Sequence, residues 1–521
     1  MNIRIILMAG LVGAPLTALA QTAAPAHDHH AMAEMPGMDM PAPHKHAPVK
    51  PKAKPAPTTA PASPAAPAPT ETSDAAAAGP SVPPAPPPAH DHSAMAGMPM
   101  AAALKPEAAP AHDHGAKADD MAGMDMSEHH AMTMSGALGA YPGTRDAVGT
   151  AWQPDSATHS GLHVMAGPWM VMAHGEATLV YDNQGGKRGD TKTFVESFVM
   201  VSAQRSLGGG TLTLRGHGSL DPTMGKSGYP LLFQTGETAN GRTPLIDRQH
   251  PHDLIDELSV TYSHPIATGA SAFVYAAYPG DPALGPVVYL HRGSGMVSPE
   301  TPIGHHWLDS THVSFGVLTT GVVLGPVKLE GSTFKGREPD QHRWNFDPLK
   351  LDSYSVRATW NPTADLSMQV SRGWLHSPEQ LEPDVSQTRT TASVTYNKPL
   401  KTGPWRTTLA WGRDQNRSPT TSRSTDAVLL ESALSLGRHT VFGRAERADK
   451  DELFLPPSPL AGRAFTVSKL SLGYAYAIPV SAHYTVEFGG LVSAYGLPSA
   501  LEPAYGSSPR SFMLFTRVRL N

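Results

Sequence analysis

The chain has 521 residues and contains no cysteine, so disulfides and thiolate metal ligands are both excluded. Its 40 basic and 45 acidic residues give a net charge of −5. Because no basic patch with interleaved aromatic residues occurs, a nucleic-acid partner is excluded as well. Beyond residue 20 there is no apolar run of the roughly 18 residues that a membrane-spanning helix needs, so we expect no such helix.

Residues 1–20 have the features of a secretory signal peptide. Arg4 precedes a short apolar run, and the segment ends in the small-residue sequence ALA before Gln21. A membrane anchor is the alternative, but Pro15 interrupts a run that is already shorter than the roughly 20 residues needed. We therefore predict cleavage near residue 20 and export of the mature protein.

Residues 21–158 are predicted to form a disordered tail. The segment is rich in Ala, Pro, His and Met, with stretches such as PSVPPAPPPA (80–89). Proline at this density excludes helix and sheet, and the small apolar side chains cannot offset the entropy lost on ordering. Such stretches are expected to be extended, polyproline-like spacers.

One cassette recurs within this tail, in which His-Asp-His is followed by closely spaced methionines. Its variants are AHDHHAMAEMPGMDM (26–40), AHDHSAMAGMPM (89–100) and AHDHGAKADDMAGMDM (111–126), and SEHHAMTM (127–134) follows the last. The candidate metal ligands are His27, His29, His30, Met32, Met35, Met38, Met40, His90, His92, Met95, Met98, Met100, His112, His114, Met121, Met124, Met126, His129, His130, Met132 and Met134.

The side chains of the cassettes indicate copper as the metal. Thioethers are soft ligands that suit Cu(I), whereas imidazole suits Cu(II), so a cassette with both accommodates either oxidation state. Ag(I) and Zn are the alternative ions. A low-complexity stalk without ligands is the alternative interpretation, but it does not explain why His-Asp-His and clustered Met recur together.

Residues 159–521 are predicted to form an antiparallel β-barrel of the outer-membrane type. Apolar and polar side chains alternate through most segments; in VKLEGSTF (327–334), Val327 and Leu329 oppose Lys328 and Glu330. About 16 strands can be assigned, within a range of 14 to 18, from one near 165–181 to one near 509–520. A soluble β-sandwich or propeller is the alternative.

The connections between these segments alternate between short turns and long loops, which favours an up-and-down barrel. Aromatic residues near strand ends, including Trp360, Tyr484 and Tyr495, fit the girdles at the two membrane interfaces. Short turns lie on the periplasmic rim of such barrels, and an even strand number places both barrel ends there. The tail is therefore expected in the periplasm and the barrel in outer-membrane lipid.

An exported Met/His-rich tail followed by a β-barrel resembles the copper-resistance protein B type of outer-membrane protein. The specific part of the resemblance is confined to the cassettes. It implies a role in copper tolerance through sequestration or movement of copper at the outer membrane, together with periplasmic copper-handling proteins as partners.

Two long loops of the barrel carry further candidate metal ligands. DRQHPHDLIDE (247–257) contains His250, His252 and Asp253, and GHHWLDSTH (304–312) contains the others: His305, His306 and His312. Both loops leave the same rim, so these side chains are expected to approach each other over or inside the lumen, and REPDQHRW (337–344) adds Glu338, Asp340 and His342 on the next long loop. Imidazole with carboxylate suits Cu(II), Zn or Ni, whereas a structural hydrogen-bonded network is the alternative.

Two other functions are weaker interpretations of the same sequence. Asp309, Ser310 and His312 are adjacent in the chain, but a catalytic triad requires geometry, and no G-x-S-x-G or H-E-x-x-H motif occurs. We therefore do not expect an enzyme. A general porin or small-solute channel with a tether-like tail is the main alternative to copper binding and tolerance.

Overall fold

The computed structural model describes residues 135–158 and 161–520, in which sixteen long antiparallel strands close a barrel. The predicted fold class and strand number are confirmed. The strands are β1 Ser135–Gly136, β2 Gly139–Pro142, β3 Leu162–Ala166, β4 Trp169–Gln184, β5 Thr191–Leu207, β6 Gly210–Gly218, β7 Tyr229–Thr238, β8 Pro244–Gln249, β9 Ile255–Ala267, β10 Ala270–Ala277, β11 Val317–Leu324, β12 Val327–Phe334, β13 Ser353–Thr363, β14 Leu366–His376, β15 Ser386–Leu400, β16 Gly403–Arg417, β17 Ser422–Leu436, β18 His439–Lys450, β19 Phe465–Pro479, β20 Tyr484–Gly496 and β21 Arg510–Leu520.

The barrel consists of β4, β5, β6 and β9 to β21, each paired with its neighbour around the wall. Pairing of β21 with β4, from Ser511 opposite Gln184 to Leu520 opposite Gly175, closes it. β3 forms a hairpin with β4 beside the end of β21. The pairs β1–β2 and β7–β8 are separate two-stranded sheets that are not part of the wall. Among the described residues, no helix has the length and hydropathy needed to cross a membrane.

Side-chain burial alternates along the strands as the sequence predicts. In β12, Leu329 is exposed, whereas Lys328 and Glu330 are buried and face the lumen. The exposed positions of the other strands carry a band of large apolar residues, including Val370 and Leu470. A closed barrel with an apolar outer band and a polar interior is the architecture that spans an outer membrane.

The two rims differ as predicted. Connections of two to four residues, such as 208–209 and 480–483, define the short-turn rim. The opposite, long-loop rim carries the loops 219–254, 278–316 and 335–352. One predicted boundary is wrong: the alternation of side chains predicts a strand near 311–323, but β11 begins only at Val317, because residues 305–312 form short helical turns inside the barrel. These are α1, His305–Leu308, and a 3-10 turn, Ser310–His312.

The long loops fold into the lumen rather than away from the barrel. Leu231 and Val297, from two different loops, pack against inward-facing residues of the wall such as Phe442 and Phe515. A second apolar cluster joins Ile303 and Trp307 to wall and loop residues near the long-loop rim. Tyr495, predicted for an aromatic girdle, also points inward, where its hydroxyl donates to Gln184.

The prediction of a disordered tail up to residue 158 is wrong for its last part. Residues 135–158 are ordered and line the lumen near the short-turn rim, where Ser263 and Ser271 donate to the carbonyls of Ala137 and Leu138. The segment is fixed because its backbone and polar side chains meet inward-facing polar residues of the wall. The signal peptide and the tail cassettes lie outside the described residues.

Smaller elements complete the described chain. They are α2, Glu502–Tyr505, and the 3-10 turns Gly143–Arg145, Asp221–Met224 and Ser499–Leu501.

Candidate metal centre

Five histidines from the two predicted loops meet inside the barrel. Their imidazoles form a closed circuit of ring contacts, with centroids 5.1 to 6.4 Å apart in the order His250, His252, His312, His305 and His306. We call these five residues the loop histidine cluster. The two loops were predicted to approach each other, and the structure brings all five imidazoles together. All five residues are buried.

The two nitrogens of each imidazole have different surroundings. On the Nδ1 side, His252 contacts a carboxylate oxygen of Asp221 at 2.8 Å and His305 contacts one of Asp309 at 2.6 Å. Nδ1 of His312 contacts the backbone carbonyl of Asp309 at 2.8 Å, and that of His250 the carbonyl of Pro251 at 3.2 Å.

The Nε2 atoms of all five histidines are buried and make no hydrogen bond, although that of His250 has a carboxylate oxygen of Glu237 3.3 Å away. A buried, unpaired nitrogen costs free energy, so the four others in one cluster require an explanation. Nδ1 held by a carboxylate or carbonyl while Nε2 stays free is the arrangement found around metal-binding histidines. The cluster therefore has the local geometry of a metal site.

A compact set of three donors lies at one side of the cluster. Nδ1 of His306 is 3.6 Å from a carboxylate oxygen of Glu338 and 3.7 Å from one of Glu379. Among the described residues, these three form the group whose donor atoms all lie within 4.8 Å of one another. A third carboxylate borders the cluster, since an oxygen of Glu237 lies 3.3 Å from Nε2 of His250.

Three separate loops supply this group. His306 lies on α1, Glu338 follows β12, and Glu379 follows β14 in the loop 377–385. Glu338 was predicted to lie near the histidines, whereas Glu379, in the stretch SPEQ (377–380), was not predicted. The alternation of short turns and long loops in the sequence predicts that both glutamates lie at the long-loop rim, but it does not predict that they meet.

Three imidazoles of the cluster are in the neutral form that can bind a metal ion. Burial lowers the pKa of His250 and His312 well below its ordinary value, and neighbouring imidazoles lower it further. Burial also lowers the pKa of His305, to about 4, although the hydrogen bond to Asp309 opposes this. These three imidazoles are therefore neutral at pH 7, which is the form that binds a metal ion.

Two other members of the cluster hold protons more tightly. Burial would lower the pKa of His306, but the charges of Glu338 and Glu379 outweigh it and raise the pKa. In the same way, the hydrogen bond and charge of Asp221 outweigh burial and raise the pKa of His252. A divalent cation bound by His306 and the two glutamates would replace a proton and balance both carboxylates.

One predicted ligand lies elsewhere. Asp253 is buried, but its carboxylate accepts a hydrogen bond from Arg343 at 3.1 Å. Burial raises the pKa of Asp253, to about 9, and nearby carboxylates add to the rise. Its contacts do not connect it to the imidazoles, so we assign Asp253 to the structural hydrogen-bonded network. The term candidate centre is kept for His306, Glu338 and Glu379.

The geometry also gives no support to a serine hydrolase. The hydroxyl of Ser310 accepts a hydrogen bond from Arg389 at 2.9 Å, and its neighbour His312 contacts a backbone carbonyl through Nδ1. The carboxylate of Asp309 contacts His305 and Arg292 instead of His312. The serine, histidine and aspartate are therefore not connected in the order that a catalytic triad requires.

Comparisons with known proteins find distant structural similarities. No family model and no curated protein matches the chain. Among solved structures, OmpF of Salmonella typhi in complex with daunomycin has a TM-score of 0.43 and 10% identity, and covers 69% of this chain and 100% of its own. OmpT of Vibrio cholerae has a TM-score of 0.40 and 8% identity, with the same coverage. OprB of Pseudomonas putida has a TM-score of 0.40 and 9% identity over 67% of this chain and 94% of its own.

Proposed function

We propose that this outer-membrane β-barrel binds copper and contributes to copper tolerance, with Cu(II) held in the lumen by His306, Glu338 and Glu379. The observation that carries the proposal is that the donor atoms of His306, Glu338 and Glu379 all lie within 4.8 Å of one another, at one side of a cluster of buried imidazoles. Imidazole with carboxylate is a donor set for Cu(II), Zn or Ni, and Cu(II) is the tightest-binding of these in the Irving–Williams order.

The tail and the lumen have complementary donor sets. The tail cassettes offer thioethers and imidazoles, which suit Cu(I) as well as Cu(II), whereas the candidate centre offers nitrogen and oxygen alone. In this proposal the periplasmic tail captures copper ions, and the barrel anchors the tail and holds or passes copper that reaches the lumen. Periplasmic copper-handling proteins are the proposed partners.

The test is a Cu(II) titration of the full-length protein in detergent, followed by electron paramagnetic resonance. Because the tail also binds Cu(II), the lumen ion is identified by difference: we expect Glu338→Gln/Glu379→Gln protein to bind one ion fewer than the wild type and to lose one signal component with combined nitrogen and oxygen coordination. Glu382→Gln, an exposed glutamate on the same loop as Glu379, is the matched control and should retain the signal. An unchanged spectrum in the double variant would refute the lumen site.

A general porin is the second candidate, because the polar lumen holds a cavity of about 320 Å³ near the short-turn rim. Its walls include Glu176, Arg406 and Arg519, and it borders the ordered segment 135–158. The two functions differ in what bilayer recordings should show: a porin conducts small ions whether or not copper is present. Copper binding predicts that micromolar Cu(II) changes the current and that the double glutamate variant does not respond.

A further inference from the structure

A second group of metal-ligand side chains lies on the barrel wall, away from the candidate centre. The register places His174 of β4 directly opposite Met200 of β5, and Met200 directly opposite His217 of β6. Directly opposed residues of neighbouring strands share one face, with Cβ atoms about 5 Å apart. Met200 and His217 are buried, so the row His174–Met200–His217 faces the lumen.

A third imidazole, from a long loop, covers this row. The ring of His291 lies 4.9 Å from that of His217 and stacks on that of His174 at 5.9 Å. Met200 packs against Val288 and Tyr289, which belong to the same loop as His291. The loop therefore places one imidazole above a wall row that already combines two imidazoles and a thioether.

The spacing of the nitrogens fits a shared ion. Nε2 of His291 is 3.4 Å from Nε2 of His217. Two nitrogens bound to one tetrahedral ion at about 2.0–2.1 Å lie roughly 3.3 Å apart, which is nearly the same separation. On the other side of the ring, Nδ1 of His217 lies 3.6 Å from a carboxylate oxygen of Asp256, the kind of partner that orients a metal-binding histidine.

From this geometry we propose a second metal site, formed by His174, Met200, His217 and His291, that takes a soft monovalent ion, Cu(I) in the cell. Three imidazoles and a thioether form a softer donor set than the imidazole and carboxylates of the candidate centre. The proposal is independent of that centre, because the two sites share no donor. The simplest competing explanation is an N–H···N hydrogen bond between His217 and His291.

The test uses crystals of the full-length protein equilibrated with Ag(I), a redox-inert substitute for Cu(I), and anomalous diffraction to locate the silver. We expect a peak between Nε2 of His217 and Nε2 of His291, next to the sulfur of Met200. The peak should be lost in Met200→Leu and His291→Ala protein. Met200→Leu nearly conserves volume, so the variant is expected to fold.

Two controls separate this proposal from the proposed function. The silver peak should remain in Glu338→Gln/Glu379→Gln protein. It should also remain in His264→Ala protein, in which an exposed histidine near the short-turn rim is changed. Silver found only elsewhere in the wild-type crystal, or an unchanged peak in both site variants, would overturn the site and leave the histidine hydrogen bond.

Discussion

The side chain of Arg292 shows how buried ion pairs fix a long loop to the inside of the barrel wall. The side chain is almost fully buried within the loop 278–316, where it donates to Glu431 of the wall at 2.5 Å and to Asp309 at 2.8 Å. Arg444 donates to the same glutamate at 3.1 Å. Buried charges of this kind are tolerated because each has an opposite charge within hydrogen-bond distance.

Arg292→Met is therefore expected to destabilise the folded barrel by about 3–5 kcal/mol, since it leaves two buried carboxylates without this partner. Thermal or denaturant unfolding in detergent measures the effect. Arg413→Met is the control: this arginine forms an exposed pair with Asp426 at 2.9 Å, and such pairs contribute about 0–1 kcal/mol. Equal effects of the two substitutions would contradict the assigned role of Arg292.

Asp309 gives the protein an acid-sensitive contact next to the loop histidine cluster. Burial would raise the pKa of Asp309, but the hydrogen bond from His305 and the charge of Arg292 outweigh it and lower the pKa to about 2, from an ordinary 3.8. A lowered pKa in the folded state stabilises the protein above the unfolded pKa, and this contribution is lost as the pH falls through the folded pKa. The relevant range is therefore about pH 4 to pH 2.

Asp309→Asn should consequently lower the melting temperature at pH 7, and its difference from the wild type should shrink as the pH falls from about 4 to 2. Melting curves in detergent at a series of pH values test this. A difference that stays constant over the whole range would show that the carboxylate charge is not what stabilises the loop.

At the scale of elements, the loop 278–316 determines what the barrel contains. It carries His291 and three members of the loop histidine cluster, and it packs against several wall strands. It also narrows the lumen, because Val297 and Trp307 occupy space that a simple channel would leave to water.

Replacing residues 287–304 by a short Gly/Ser linker is expected to raise single-channel conductance about severalfold, because the wall alone encloses a wider lumen. Planar-bilayer recording measures this. The loop 451–464, on the same rim, offers a control deletion, residues 456–463, that should leave the conductance close to the wild-type value. If both deletions behave alike, the loop 278–316 does not restrict the lumen.

At the scale of the whole molecule, the proposed division between tail and barrel can be tested by removing the tail. Deletion of 22–134 should reduce the number of Cu(I) ions bound per molecule and lower the copper tolerance of cells that depend on the protein. The Cu(II) signal assigned to His306, Glu338 and Glu379 should remain, because the deletion ends before the described residues begin. Unchanged tolerance and unchanged Cu(I) stoichiometry would favour the porin with a tether-like tail.

Much of the fold follows from local patterns. Each of the sixteen wall strands was expected near its observed position, because period-two alternation and glycine- or proline-containing turns are properties of neighbouring residues. The ordered segment 135–158 was not expected. It shows no period-two alternation, and its order depends on contacts such as that between Arg145 and the carbonyl of Gly325, 180 positions away.

Some residues of the candidate sites were likewise predicted from the sequence, and others were not. His250, His252, His305, His306 and His312 were identified because histidines beside aspartates in long loops are conspicuous in the sequence. Glu379, His174, Met200 and His291 were not, since each is an isolated residue whose partners come from other strands or loops. The alternation of β4, β5 and β6 fixes which way these wall side chains face, but not which of them stand opposite each other.

The repeated Met/His cassettes, the alternation of the wall strands and the two unlike rims can therefore be recognised in the sequence, since all of these depend on residues close together in the chain. The structure was needed to show that the long loops turn inward, that five imidazoles meet, and that two histidines and a methionine align across three strands. Strand register and loop packing depend on contacts between distant residues, whose energies no local pattern records.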